Sequence, residues 1–274
     1  MPQVINTNMM SLNSQRALDN SQQSMRRSVE RLSSGLRINR AQDDAAGLAI
    51  SERITSQIRG LSQAMRNAND GVSMLQTTEG AMQEITNSLQ RMRELAVQAA
   101  NGTVSQKDKG SLQEEYAALA EEIDRITTST EFNGTQVLTG SSSVTLQVGF
   151  QNAADNLITI TMADLTALTS LADDIGADAT GDAARAALAK LDADIDTITS
   201  ERAKLGAVQN RLESTVRNVA NVIENQSAAR SRIRDADFAA ETANLTRTQI
   251  LQQAGTAMLA QANVIPQSVL QLLG

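Results

Sequence analysis

Residues 248–274 read TQILQQAGTAMLAQANVIPQSVLQLLG, and none of them carries a charged side chain. Apolar and small residues recur along this tail at the helical spacings of four and three: Leu251, Gly255, Met258, Ala262, Ile265, Val269 and Leu272. Further large apolar residues lie off that row, so more than one helix face is apolar. The many amide side chains argue against a membrane span. We therefore predict a helix that other helices cover.

The amino-terminal sequence has Leu18, Met25 and Leu32 spaced at sevens, with Val29 and Leu36 as a second row, and two single helices can cover only one stripe each. Ordering both ends costs on the order of 1.5 kcal/mol per residue, whereas a fully buried aliphatic side chain returns roughly 2 kcal/mol. Two lone helices bury too little to offset that cost. We predict that 1–41 and 234–274 form a coiled-coil domain completed by other copies of the chain. The predicted packing residues are Leu18, Met25, Leu32, Leu251, Met258, Ile265 and Leu272.

The middle of the chain, residues 42–233, has the patterns of a helical bundle. A seam of apolar residues runs from Ile54 to Ala96, and Asn101-Gly102 ends it. Ser105 is a candidate cap for a second helix, which must run antiparallel after so short a turn. A third long helix starts at Asp182.

Between the second and third helices the apolar period changes from helical to alternating. Val144, Leu146 and Val148 alternate with polar residues, and so do Ile158, Ile160 and Met162. This pattern predicts one small β-hairpin at about 141–165. We interpret 163–182 as a surface loop with a short helix. The predicted fold class is therefore mainly α, a long antiparallel helical bundle or coiled coil with one small β-hairpin and both termini helical and paired.

The composition excludes several classes of function. The chain has no cysteine and no histidine, which removes the common zinc sites, thiol nucleophiles and Ser-His-Asp triads. A net charge of -7 argues against nucleic-acid binding. No basic segment followed by an apolar one opens the chain, so we expect no Sec-type signal peptide. We predict a protein that is not an enzyme and that uses no cofactor and no metal.

Two acidic groups receive structural interpretations. Asp192, Asp194 and Asp196 imitate the start of a calcium loop, but the glycine and glutamate that such a loop needs are missing. We interpret the three as a solvated helix face. Asp43 and Asp44 are interpreted as caps of the helix that follows them, because negative charge favours a helix amino terminus.

Four segments together resemble bacterial flagellin: RLSSGLRIN at 31–39, AAGLAISER at 45–53, AARSRIRDADF at 228–238 and QILQQAGTAMLAQAN at 249–263. The resemblance covers both terminal thirds. It implies a self-assembling subunit of the extracellular flagellar filament, with paired terminal helices in the filament core and a role in motility. It also implies export through the flagellar type III system without a cleaved signal peptide. The implied partners are the flagellar cap, hook-associated proteins and an export chaperone, with no nucleic acid and no membrane insertion.

The resemblance also implies a receptor-binding surface. The stretch QRMRELAV at 90–97 is similar to one that Toll-like receptor 5 recognises in some flagellins. It places Arg91 and Leu95 at the main contact positions and Glu115 at a third. The alternative interpretation of Arg91 and Glu115 is a solvated bundle surface that contacts neighbouring subunits.

Two alternative functions stand beside the filament subunit. A hook-filament junction protein of the flagellin-related type shares the terminal helices but does not extend a filament. An enzyme is disfavoured, since the metalloprotease insert of some flagellins needs histidine.

Overall fold

The computed structural model describes residues 7–140, 143–178 and 180–273, with side chains described up to Val264. Five α-helices dominate it: α1 (Met9–Ser34), α2 (Ala45–Ala99), α3 (Gln106–Ser129), α4 (Asp182–Arg234) and α5 (Phe238–Leu273). Four short strands are β1 (Glu131–Phe132), β2 (Thr135–Gln136), β3 (Ser143–Gln147) and β4 (Leu157–Thr161). The mainly α prediction is confirmed. No helix in the described part of the chain has the length and hydropathy that a bilayer span requires.

The chain divides into two compact units. The terminal unit contains the residues up to Ser56 and those from Glu224 onward, and the middle unit is Gln57–Ile223. Both boundaries fall inside long helices, α2 and α4, whereas the predicted domains divide at 41/42 and 233/234. The domain limits therefore stay a prediction.

In the terminal unit, side chains and one glycine set the helix ends. The Asn8 side chain accepts a hydrogen bond from the Ser11 N–H at 3.1 Å and so caps α1. Gly35 ends α1 with φ +71°, a left-handed conformation that glycine adopts without strain. Asp44 Oδ1 accepts from the Gly47 N–H at 2.8 Å, which confirms the predicted cap of α2. The cap interpretation is wrong for Asp43, whose carboxylate accepts from the main-chain N–H groups of the preceding Arg40 and Asn39; these hydrogen bonds lower the pKa of its carboxyl.

In the middle unit, α2 and α3 fold back on each other across a short turn. α2 ends at Ala99, directly before the predicted stop, and Ser105 Oγ accepts from the Asp108 N–H at 3.2 Å. Arg91 and Glu115 lie at similar distances from the turn and form an ion pair at 2.8 Å. The capping and the antiparallel course are both confirmed.

The predicted β-hairpin is present as antiparallel β3 and β4. Leu146 pairs with Ile158 and Val144 with Ile160, and these residues face the helices. A Cβ on Gly71 of α2 would lie 2.2 Å from Leu146 Cδ1, so a glycine lets the hairpin approach the helix closely. A second hairpin, β1 with β2, turns at Asn133-Gly134, where both φ angles are positive.

The segment after β4 differs from the sequence-based expectation. Leu165, Leu168 and Ile175 are buried in the core of the middle unit, so the prediction of a surface loop is wrong for them. Tyr116 Oη donates a hydrogen bond to the Ser170 carbonyl at 2.7 Å and so holds this segment against α3. Burial raises the pKa of the Tyr116 phenol. The irregular spacing of the apolar residues hid their burial from pattern analysis.

Candidate functional site

Helices α1 and α5 pair in antiparallel fashion along most of their length. Asn8 Nδ2 donates a hydrogen bond to the Ala262 carbonyl at 2.8 Å, and Ser21 Oγ donates one to the Thr248 carbonyl at 3.2 Å. Nearer the other end of α1, Arg31 Nη1 lies 3.6 Å from Glu241 Oε2. The residue numbers rise along α1 as they fall along α5, which defines the antiparallel direction.

Small side chains fill the seam between α1 and α5. The buried residues of α1 are Ser11, Ser21 and Ser28, and Thr248 and Ala262 are buried on α5. Sequence analysis missed this seam because it followed the large apolar residues. The signal was available, since Ser14, Ser21 and Ser28 recur at sevens beside the apolar row.

Many large apolar side chains of the two helices are exposed, whereas Leu18, Met25 and Leu32 are half-buried at the seam. Those exposed to solvent are Met9, Met10, Leu12, Val29, Phe238, Ile250, Leu251, Met258 and Val264. Leu18, Leu251 and Met258 line a groove of about 590 Å³ that runs between the helices. A groove lined by several apolar side chains and open to solvent is a candidate interaction surface.

The predicted packing residues have different surroundings in the isolated chain. Leu18, Met25 and Leu32 are half-buried, whereas Leu251 is 53% and Met258 63% exposed. The side chains of Ile265 and Leu272 lie outside the described residues. The described residues leave Leu251 and Met258 more than half exposed, so their packing role stays a prediction about partners.

A main-chain clasp joins the inner ends of the terminal helices. Leu36 bridges to Asp235, the Arg37 N–H donates to the Arg234 carbonyl at 2.7 Å, and the Ala236 N–H donates to the Gly35 carbonyl at 2.9 Å. We name the segments 35–38 and 234–236 the clasp. Because main-chain atoms form it, the clasp fixes where α1 and α5 begin to run together.

A second candidate region lies on α2 and α3. Arg91 Nε and Nη2 both donate to Glu115 Oε1, at 2.9 and 2.8 Å, and Nη1 donates to Glu94 Oε2 at 2.8 Å. These bonds, the one to Glu115 foremost, raise the pKa of Arg91, so its charge is permanent. Leu95 stands one turn later but is only 1% exposed, so it lies beneath this surface and supports it by packing.

Asp192 and Asp194 of α4 make contacts that stabilise the middle unit. Asp192 is exposed and pairs with Arg93 at 2.7 Å. Asp194 is buried, and its carboxylate accepts from the main-chain N–H groups of Thr169 and Ser170. The interpretation of a solvated face is therefore wrong for Asp194. Among the described residues, no group of three acidic side chains is arranged to hold a metal ion.

Comparison with known proteins matches nearly the whole chain. Residues 5–143 match the family described as "Bacterial flagellin N-terminal helical region", and residues 188–273 match "Bacterial flagellin C-terminal helical region". A flagellin of Halalkalibacterium halodurans is 48% identical over 272 residues, covering 98% of this chain and 99% of that protein. The "Flagellar filament 33 kDa core protein" of Treponema phagedenis is 47% identical over 287 residues, with the same coverage. The crystal structure of Bacillus cereus flagellin superposes with a TM-score of 0.50 at 35% identity, covering 60% of this chain and 94% of that one.

Proposed function

This chain belongs to the bacterial flagellin family, and from that membership we propose that its terminal helices are the surfaces through which copies assemble into the core of the flagellar filament. Flagellins are structural proteins of the extracellular filament. The observation that carries the proposal is the division of side chains on α1 and α5. The positions of α1 that are fully buried hold serine, and many large apolar residues of both helices stay exposed.

The small-residue seam limits what one copy can bury. Serine and threonine side chains allow close helix approach but remove little apolar surface from water, so the pair gains little from the hydrophobic effect. The Gly255 backbone shows how close that approach is, since a Cβ there would lie 3.3 Å from Leu18 Cδ1. The larger gain is available only when neighbouring copies cover Leu251, Met258 and the other exposed residues.

The charge distribution supports stacking of many tails. From Thr248 onward α5 has no ionisable side chain, so copies can pack tail against tail without like-charge repulsion. The charges of the terminal unit concentrate nearer the clasp, where Arg31 pairs with Glu241 and Arg234 with Glu52 at 2.9 Å.

The wider biological role forms part of the same proposal. The filament turns as a rigid helical tube and converts torque into thrust for motility. Subunits leave the cell through the flagellar type III channel after binding an export chaperone, and they add beneath the cap beyond the hook-associated proteins. Family membership supports these partners and this route.

Seeded growth tests the assembly proposal. Purified chain added to short filament fragments should elongate them continuously, since each added copy presents a new apolar surface to the next. Electron microscopy measures filament length against time. A hook-filament junction protein would bind the fragment ends and stop, and that result would contradict the proposal in favour of the alternative.

We propose further that the unassembled chain is recognised by Toll-like receptor 5 through Arg91 and Glu115, with Leu95 as the packing support beneath them. Two half-exposed, oppositely charged side chains held in one fixed geometry provide a specific polar contact. Their mutual hydrogen bonds restrict the arginine before binding, which lowers the entropy cost of recognition.

Arg91→Asp should weaken receptor signalling by the monomer by about tenfold or more, because an arginine at an interface centre commonly contributes over 1 kcal/mol. The half-maximal concentration in a receptor reporter assay measures the effect. Arg125→Asp is the matched control, since Arg125 is also exposed and paired with a carboxylate but lies outside residues 90–97. Equal potency of the two variants would contradict the receptor proposal and leave the assembly proposal intact.

A further inference from the structure

The methionines of the described chain fall into three classes by exposure: exposed, buried and half-buried, the last made up of Met25 and Met65. Met9, Met10 and Met258 are 58%, 63% and 63% exposed, and all three lie on the terminal helices α1 and α5. Met74, Met82, Met92 and Met162 are buried in the middle unit. We name the first three the exposed methionines. Their thioether sulfurs are accessible to small oxidants in the free chain, and those of the second class are not.

The exposure of a methionine side chain determines whether peroxide can oxidise it. A sulfur lone pair attacks one oxygen of hydrogen peroxide, so that an S–O bond forms as the O–O bond breaks; the proton on the transferred oxygen moves to the departing hydroxide, which leaves as water. The sulfur is oxidised to a sulfoxide and the peroxide is reduced. The product side chain is polar and carries a strong hydrogen-bond acceptor in place of an apolar, adaptable one.

We propose that Met9, Met10 and Met258 are oxidation sites whose conversion to sulfoxide by peroxides blocks self-assembly of the free chain. This inference rests on the proposed function, because the sulfoxides prevent assembly only if those side chains must be covered. Met258 lies in the groove between α1 and α5 together with Leu18 and Leu251. The groove is also lined by Asn13, Asn20 and serines of α1, so the cost of covering the sulfoxide comes from the lost apolar contact with Leu18 and Leu251 and from the water that the oxygen gives up.

Assembly should in turn protect the same residues. Once neighbouring copies cover the exposed methionines, peroxide no longer reaches their sulfurs. The free chain is therefore sensitive to oxidation and the finished polymer is resistant. Reduction of both sulfoxide epimers by methionine sulfoxide reductases should restore assembly, since no bond of the main chain is altered.

The test compares hydrogen peroxide treatment of free chain and of assembled filaments. Peptide mass analysis should show one added oxygen at each exposed methionine in the free chain, little at those sites in filaments, and none at the four buried methionines in either. Seeded elongation by the oxidised chain should slow by about tenfold or more, the factor that each 1.4 kcal/mol of lost contact free energy produces. Reductase treatment should return the rate to that of untreated chain.

Replacement of the three exposed methionines supplies the controls. Met→Leu at all three positions keeps the surface apolar at similar volume, so this variant should elongate seeds at the same rate before and after peroxide. Met→Gln at the same positions imitates the polar product and should elongate slowly without any oxidant. Unchanged far-ultraviolet circular dichroism of the oxidised chain shows that unfolding is not the cause.

Two outcomes overturn the inference. Elongation at the parent rate by a chain with complete sulfoxide at Met9, Met10 and Met258 would show that these side chains tolerate a polar group. An equal peroxide effect on the Met→Leu variant would place the sensitivity elsewhere. Failure of the proposed function is distinguishable from both, because the untreated parent chain would then fail to elongate seeds.

Discussion

Replacing Leu251 and Met258 together by aspartate is expected to abolish filament formation while the monomer stays folded. Both side chains are more than half exposed in the single chain, so the free energy of unfolding should fall by no more than about 1 kcal/mol. In a polymer the two carboxylates would be covered without a cationic partner, and a penalty of ~4 kcal/mol per interface lowers the association constant about a thousandfold. Sedimentation of seeded reactions and thermal unfolding of the monomer measure the two effects.

Val97→Asp is the matched control for this pair. Val97 is 51% exposed and also lies on a long helix, but in the middle unit, outside the proposed core. It should elongate seeds at close to the parent rate. Filaments of ordinary length from the Leu251→Asp, Met258→Asp double variant would rule out the terminal helices as the assembly surface.

Leu95→Ala is expected to destabilise the monomer strongly, by about 2–5 kcal/mol, the range for deleting a buried leucine side chain. Leu95 is 1% exposed and belongs to the core of the middle unit. Denaturant unfolding measures the loss. At temperatures where the variant is fully folded, its receptor signalling should fall less than that of Arg91→Asp, because Leu95 supports the surface without being part of it.

Val97→Ala provides the comparison two residues along the same helix. Its side chain is largely exposed, so the change in stability should stay within about 0.5 kcal/mol. A Leu95→Ala chain with parent stability and a tenfold loss of signalling would contradict the buried role assigned to Leu95. It would indicate that the leucine reaches the receptor directly.

Much of the fold follows from local sequence signals. The Ser105 cap and the Asp44 cap depend on residues within a few positions of one another, and both are present in the structure. The long apolar period of α2 and the alternating period of β3 and β4 are also local. Such signals identify elements reliably because the residues that set the conformation are neighbours in the chain.

The misassigned features depend on distant partners. Asp194 is buried because Thr169 and Ser170 present their main-chain N–H groups to it, and nothing in the α4 sequence announces that contact. The serine seam of α1 had a local signal in its spacing at sevens, but the burial of these serines depends on the surface of α5. Apolar residues spaced at sevens, such as Leu18, Met25 and Leu32, indicate a helix face that packs against another helix. They do not indicate whether that helix belongs to the same chain or to another copy.

The candidate receptor region combines both situations. The resemblance located Arg91, Leu95 and Glu115 separately, and the structure places the guanidinium of the first against the carboxylate of the third. The burial of Leu95 required the packed bundle. The position of Leu95 in the apolar period of α2 was a local sequence signal of its burial. The ion pair between Arg91 and Glu115 joins two helices, and no local sequence signal predicted it.

The clasp fixes the offset between helices α1 and α5, whatever the length of the chain that separates them in sequence. Leu36 and Asp235 meet through main-chain atoms, so the offset between α1 and α5 is set at that point, whatever the number of intervening residues. An insertion in the stretch between residues 143 and 188, which neither matched family region includes, would leave that offset unchanged. Evolution can therefore enlarge or trim the middle of such a protein while the subunit keeps the same polymer lattice.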